Sequence, residues 1–220
     1  MVARPVPAPE YSADGDLPQW LRPLVAAARA VRPEDLTRFL APPDGGRDSA
    51  VLMLLGETDG EPDLLLTERA SGMRAHSGQP AFPGGTQDPE DADAAACALR
   101  EAQEEVGVNP SGVRIVAQLP QLWVPPTGFA VTPILGWWHT PNAVAPAEAE
   151  VAAAHRVPIE ELADPANRVR VAHPSGFVGP GFEVADMIVW GFTGGLVASL
   201  LRLGGWERPW EPARVVQVQL

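Results

Sequence analysis

The chain has 220 residues, with 16 basic and 28 acidic side chains and a net charge of −12; every base is an arginine, which we read as composition bias. That balance excludes a non-specific nucleic-acid binder, which needs a basic surface, while a hydrophobic share of 45% fits a globular domain large enough for a real core. The single cysteine, Cys97, excludes an internal disulfide, and no stretch reads as a signal peptide or membrane span, so the expected location is cytoplasmic.

Residues 1–16 are expected to form a flexible tail, and residues 17–220 one domain with an N-terminal helical extension and a core over about 49–203. Leu21, Leu24, Val25 and Ala28 predict a helix over Leu17–Val31, and Pro33 sits near the first turn of a second, Pro33–Leu40. Residues 42–46 read as a loop. The apolar runs Ser49–Leu55 and Asp63–Glu68 flank Asp59-Gly60 and predict a hairpin. Further strands are predicted over Val113–Leu119 and Ala130–Trp138, with Trp123–Phe129 a stiff aromatic loop between them. Glu150–Pro158 reads as a strand, Ile159–Ala163 as a short helix and Arg168–His173 as a strand. Met187–Gly191 leads into a helix over Thr193–Leu203, ended by Gly204-Gly205. Strands with few helices and no regular βαβ rhythm predict a mixed sheet between helices, not a doubly wound one.

Phe82–Gly107 carries the densest chemical signal. Two glycines follow an apolar residue and a proline; an acidic turn and an alanine-rich helix come next. Asp91 or Asp93 can cap that helix, and Gly107 supplies the left-handed residue that closes it. On a wheel of about 100° per residue, Ala95, Leu99, Ala102 and Val106 form the side to bury. Glu101, Glu104 and Glu105 cluster on another side, with Arg100 beside them. Glutamates on a helix are ordinarily a solvated face. Here Glu101 and Glu105 are like charges at i, i+4, which costs about 0.2–0.5 kcal/mol, and the flanking residues Ala94, Cys97, Ala98 and Ala102 offer no positive partner. A bound divalent cation explains the cluster better, and hard oxygen ligands suit magnesium or manganese. Gly84-Gly85 lets the backbone approach a ligand, so a loop and helix of this kind suit a metal–phosphate complex.

Gly85, Asp91 and the run Arg100–Val108 resemble the signature of the Nudix hydrolases: Gly, five residues, an acid, seven residues, then Arg-Glu-hydrophobic-any-Glu-Glu-any-Gly-hydrophobic. Two departures stand out. Eight residues separate Asp91 from Arg100, and the acid is Asp instead of Glu. Upstream, Leu65–Ala70, Arg74, Gly78 and Phe82–Asp88 resemble the added motif of the coenzyme A pyrophosphatase branch, which is similar to this chain in the one-residue extension too. Thr127-Gly128-Phe129 before Val131-Thr132-Pro133, and the run Trp190–Thr193, resemble the same branch. Nothing from Trp206 to Leu220 does. The resemblance implies an α/β fold, the α/β/α sandwich with a mixed sheet.

It also implies an activity: divalent-metal-dependent hydrolysis of a pyrophosphate bond in a nucleoside diphosphate derivative. Coenzyme A or an acyl-coenzyme A is the first choice, with 3′,5′-ADP and 4′-phosphopantetheine as products from coenzyme A. Glu104 and Glu105 are expected to hold Mg2+ or Mn2+, with the Gly85 carbonyl completing the cage. Glu101 is expected to act as base or further ligand, and Arg100 to orient Glu101 through an ion pair. The cations neutralise phosphate charge and activate water. A later acid often completes such sites in the family; of Glu148 and Glu150, we take Glu150. Arg69 and Arg74 read as phosphate clamps, since guanidinium is planar and bidentate. His76, Gly84 and Gly85 complete the substrate-binding set. His139, His155 and His173 show no metal spacing, and Cys97 reads as a small core residue. Trp137, Trp138, Trp206 and Trp210 read as packing or homodimer contacts. The expected partner is a small nucleotide of the coenzyme A class, with no nucleic acid and no membrane. Two alternatives stand beside this reading. One is another Nudix substrate, such as ADP-ribose, NADH or a modified nucleotide. The other is a catalytically silent nucleotide sensor, against which the retention of Arg100, Glu101, Glu104 and Glu105 together argues.

Overall fold

Asp59 and Gly60 both adopt positive φ, 53° and 87°, and so turn strand β1 (Arg47–Thr58) tightly into β2 (Glu61–Arg69). The register pairs Leu55 with Leu64 and Thr58 with Glu61, which is the predicted hairpin with longer arms. The structure, a computed structural model, describes residues 14–37, 45–70 and 78–218. Before the hairpin come a 3-10 turn (Asp14–Asp16), helix α1 (Arg22–Ala30) and helix α2 (Pro33–Leu36). The expected tail thus already turns at its end, α1 starts later than predicted, and α2 stops at Leu36. The rest of the predicted second helix and most of the 42–46 loop lie outside the described residues.

After the hairpin come β3 (Pro80–Ala81), β4 (Gly84–Thr86), α3 (Ala94–Val106), β5 (Val113–Gln118), β6 (Leu122–Val124), β7 (Phe129–Trp138), β8 (Val151–Pro158) and α4 (Ile159–Ala163). The chain then runs through β9 (Arg168–Ala172), β10 (Val178–Val184), β11 (Met187–Val189), α5 (Gly191–Leu203) and β12 (Val215–Gln217). The predicted aromatic loop after Trp123 shrinks to a tight turn: Leu122–Val124 pairs with Phe129–Val131, and the Gly128 amide donates to the Val124 carbonyl at 3.0 Å.

The main sheet has eight strands in the order β3-β2-β1-β7-β5, with β4 paired to β1, β6 to β7 and β8 to β2. Only β1 and β7 run parallel in it, so the sheet is mixed. Strand β1 is buried on both faces, and its side chains alternate as a strand requires. Ala50, Leu52 and Leu54 join Ala98, Ala102 and Val106 of α3. Met53 and Leu55 join Leu24 and Val25 of α1 and Leu196 and Leu200 of α5. Helices on both faces make the expected sandwich. A second sheet, β11-β10-β9-β12, contains the predicted strand at Arg168 as β9, while its other three strands lie outside the sequence expectation; its β10 packs on α5 and its β11 on β3. The tryptophans pack within the chain: Trp138 is buried, Trp206 lies against Trp20, and Trp210 covers the Arg168 guanidinium. Among the described residues, no helix is long and apolar enough to cross a membrane.

Candidate active site

Strand β4 and helix α3 meet because two residues lack side chains. Gly84 lies against β1, where a Cβ would come within 2.7 Å of the Val51 Cα. Gly85 lies under Glu101, where a Cβ would come within 2.5 Å of the carboxylate carbon. Any larger residue at position 85 therefore displaces the Glu101 head group. Asp93, not Asp91, caps α3: its Oδ1 accepts from the Ala96 amide at 2.8 Å. Gly107 closes the helix at φ 69° as predicted.

Asp91 instead goes to Arg100. The guanidinium donates to both Asp91 oxygens, Nε to Oδ1 at 3.0 Å and Nη2 to Oδ2 at 2.9 Å. This bidentate pair holds the Asp91 carboxyl at about 2. The longer spacing between Asp91 and Arg100 thus still closes into an ion pair. Arg100 Nη1 also donates to Glu101 Oε1 and to Glu104 Oε2, both at 3.0 Å, and Nη2 to the Thr86 carbonyl at 3.1 Å. Arg100 thus makes the expected ion pair with Glu101 and carries it on to Glu104, so two of the three glutamates share one positive partner.

The third member, Glu105, is out of that reach and is 8% exposed. Among the described residues its carboxylate takes one hydrogen bond, from the Gly84 amide to Oε2 at 3.1 Å. Burial pushes Glu105 up to about 7; the Gly84 amide and the Arg69 charge oppose that rise, and Glu101 and Glu150 add to it. Burial also raises Glu101, against the pull of Arg100 and with a push from Glu104 and Glu150. The buried side of α3 is accordingly Cys97, Ala98, Ala102, Glu105 and Val106; Ala95 and Leu99, expected there, are only partly buried. Cys97 is the predicted buried residue, and burial lifts its thiol to about 11. Its Sγ lies 3.7 Å from the Gly85 carbonyl oxygen and 3.8 Å from Arg100 Nη2.

Arg69 and Glu150 come to this site from neighbouring strand ends. A bulge at Glu68/Arg69 sets Arg69 beside Val151, and the Ala70 amide donates to the Glu150 carbonyl at 2.9 Å. Both residues act on Glu105 through their charge. Arg74 and His76 lie outside the described residues. The partner role of Asp91 went unread in the sequence, although its nine-residue distance from Arg100 carried the signal.

The donor set suits a hard divalent cation. Glu101 and Glu105 are both raised by burial, Glu105 further by the charge of Glu101, and they offer oxygen only. In the arrangement seen, Glu104 is turned outward to Arg100, and among the described residues no three such side chains close on one point.

A model of the NUDIX domain matches residues 46–177. The chain is 40% identical over 166 residues to the "Uncharacterized Nudix hydrolase NudL" of Enterobacter sp. (strain 638), covering 72% of this chain and 83% of the relative. It is also 40% identical over 157 residues to the protein of that name in Cronobacter sakazakii, covering 68% and 78%. Among solved structures, the Nudix hydrolase RenU of M. smegmatis aligns with a TM-score of 0.54 at 19% identity, over 82% of this chain and 97% of that one. That last likeness speaks for the fold alone.

Proposed function

The chain belongs to the Nudix family, and from that premise we propose that it hydrolyses the pyrophosphate bond of coenzyme A or an acyl-coenzyme A with the help of Mg2+ or Mn2+. The observation that carries the hydrolytic part is Glu105, a buried carboxylate short of donors, set beside Glu101 over the bare Gly85. A bound divalent cation supplies charge neutralisation at the phosphates and a more acidic water. Glu105 would hold it, with Glu150 and the Gly85 carbonyl as further donors, which leaves Glu101 as the base; Glu104 joins them only by leaving Arg100.

The chain's own residues do the rest. Arg100 takes Oε1 of Glu101 and so leaves Oε2 as the open acceptor. Water adds to one phosphorus as the bridging P–O bond breaks, and the proton released by the water passes to Glu101, whose raised affinity for protons suits a base. Asp91 holds Arg100 from behind, so the clamp keeps its aim. Arg69 offers a guanidinium to the substrate phosphates beside Glu105. The stretch Leu65–Asp88 supports coenzyme A as substrate, with Arg74 and His76 in the same role.

The test is a chromatographic assay of the purified chain with magnesium or manganese on coenzyme A, NADH and ADP-ribose. Release of 3′,5′-ADP and 4′-phosphopantetheine at the highest kcat/KM is the expected result. Preference for NADH or ADP-ribose would replace the substrate and keep the chemistry; no turnover of any of them would favour a nucleotide sensor.

A further inference from the structure

Among the described residues, Trp123 of β6 belongs to neither of the apolar clusters that fill the two faces of the main sheet. Sheet register fixes where it lies. Leu122 is buried with α1 and α5, and successive strand residues face opposite sides, so Trp123 faces the α3 side. Its partner on β7 is Ala130, and the partner of Ala130 on β1 is Asp48. Asp48 precedes Ala50 by two residues and shares its face; Ala50 packs under α3 and pairs with Gly85, over which Glu101 lies. The α3 face of β1 thus runs Gly46, Asp48, Ala50 toward the carboxylates. At about 3.3 Å per residue, Asp48 is about 7 Å and Gly46 about 13 Å from the Gly85 level.

The Trp123 ring lies at the far end of that line. Its six-membered half rests on bare backbone: a Cβ at Gly46 would overlap Cζ3, and one at Gly128 would touch Cη2 at 4.0 Å. The turn that follows is pinned by the Thr127 hydroxyl, which donates to the Val124 carbonyl at 3.1 Å. Asp48 and Gln121 are exposed and Trp123 is half-buried, so all three are open to a ligand. Gln121 Nε2 donates to Asp48 Oδ1 at 2.9 Å. That leaves Asp48 Oδ2 and Gln121 Oε1 as acceptors beside the ring. An aromatic plane flanked by acceptor oxygens suits a base that carries an amino group, whereas the carboxylate repels a phosphate.

We propose that Trp123 and Asp48 receive the adenine base of the substrate, Trp123 by stacking and Asp48 Oδ2 by accepting from the 6-amino group, with the diphosphate lying along β1 toward Gly85 and Glu101. The inference rests on the reading that this site takes an adenine nucleotide pyrophosphate, and it adds which part of the chain reads the base.

The experiment titrates ADP, inosine diphosphate and inorganic pyrophosphate, each with magnesium, into the full chain and its Trp123→Leu, Trp123→Phe and Asp48→Asn variants. Calorimetry and tryptophan emission are followed together. Stacking of one base is worth roughly a tenfold or greater change in affinity. Trp123→Leu should weaken ADP by about that factor and leave pyrophosphate alone. Trp123→Phe should recover most of the affinity and lose the ADP-dependent quench. The wild-type chain should prefer ADP to inosine diphosphate, whose 6-oxygen would face the carboxylate, and Asp48→Asn should remove that preference, because its amide can donate. If Trp123→Leu does not fold, the other two variants carry the test. ADP affinity and quenching that survive in the folded Trp123 variants overturn the proposal, as does a wild-type chain that binds ADP no better than pyrophosphate. A preference for ADP that persists in Asp48→Asn overturns the part given to Asp48. A chain that hydrolyses no adenine pyrophosphate overturns the function reading itself, whereas an active enzyme with unchanged variants loses only the base platform.

Discussion

Asp63 on β2 and Glu105 on α3 are both nearly closed to solvent, at 2% and 8% exposed. Asp63 is fully met: Arg156 donates to Oδ1 at 3.1 Å and pairs with Oδ2 at 2.7 Å, and Thr58 donates to Oδ2 at 2.6 Å. Arg156 in turn reaches the Glu57 carbonyl and lies over the Trp138 ring. Glu105 has the Gly84 amide and the more distant charge of Arg69. Burial is the same in kind at both positions; what differs is the supply of donors. A buried acid with both oxygens engaged fastens β8 to the hairpin. A buried acid kept short of donors retains affinity for something else, a proton or a cation.

Removing each acid should separate the two roles. Glu105→Gln takes away charge but little volume, and turnover at saturating magnesium should fall by orders of magnitude in a chain that still folds; near-normal kcat would remove Glu105 from the site. Asp63→Ala strands Arg156, and breaking a buried pair costs about 3–5 kcal/mol. Urea unfolding should show that loss, while kcat of the folded variant stays put; a stable, inactive Asp63→Ala would erase the contrast.

Acidity sharpens it further. In the metal-free chain Glu105 sits at about 7 against an ordinary 4.5. Its protonated form is favoured by folding, so this contribution is complete below pH 4.5 and is lost as pH rises through about 7. The loss is on the order of 3 kcal/mol. Asp91, at about 2, acts in the opposite sense but is already fully ionised by pH 5. Thermal unfolding in a chelator between pH 5 and 8 should therefore slope downward, and the slope should shrink in Glu105→Gln to what the raised Glu101 contributes. An undiminished slope in Glu105→Gln would assign it elsewhere. The smallest effect belongs to Arg69. A charge-assisted bond contributes about 1.5–3 kcal/mol, so Arg69→Ala should lower kcat/KM roughly tenfold to a hundredfold and raise the Glu105 titration further. An unchanged kcat/KM in the folded variant would remove Arg69 from phosphate binding.

Much of this site is readable in the chain because local rules place it. Gly107 must end a helix, Asp59-Gly60 must turn a hairpin, and the Arg100–Val108 run fixes which face carries the carboxylates. The errors fall where partners decide. Strand β10 contains Gly179, Pro180 and Gly181, poor strand formers that are held extended by pairing with β9. β12 exists only beside β9. The buried side of α3 was expected from its apolar residues, yet contact with the glycines of β4 rotates the choice toward Cys97 and Glu105. Between Asp91 and Asp93 no local rule could choose; Arg100 claims the first, which leaves the second to cap.

Cys97 sits where α3 crosses β4, its sulfur between the Gly85 carbonyl and Arg100. It is the only thiol in the chain, and while the fold is closed it is both hidden and, at about 11, protonated. Alkylation can therefore proceed only through moments when the helix lifts from the glycine loop. The labelling rate, divided by that of an exposed thiol, is the fraction of time spent lifted. The molecule thus carries its own clock for breathing at the glycine loop. Any cation that ties helix to loop will slow that clock in proportion to how tightly it binds.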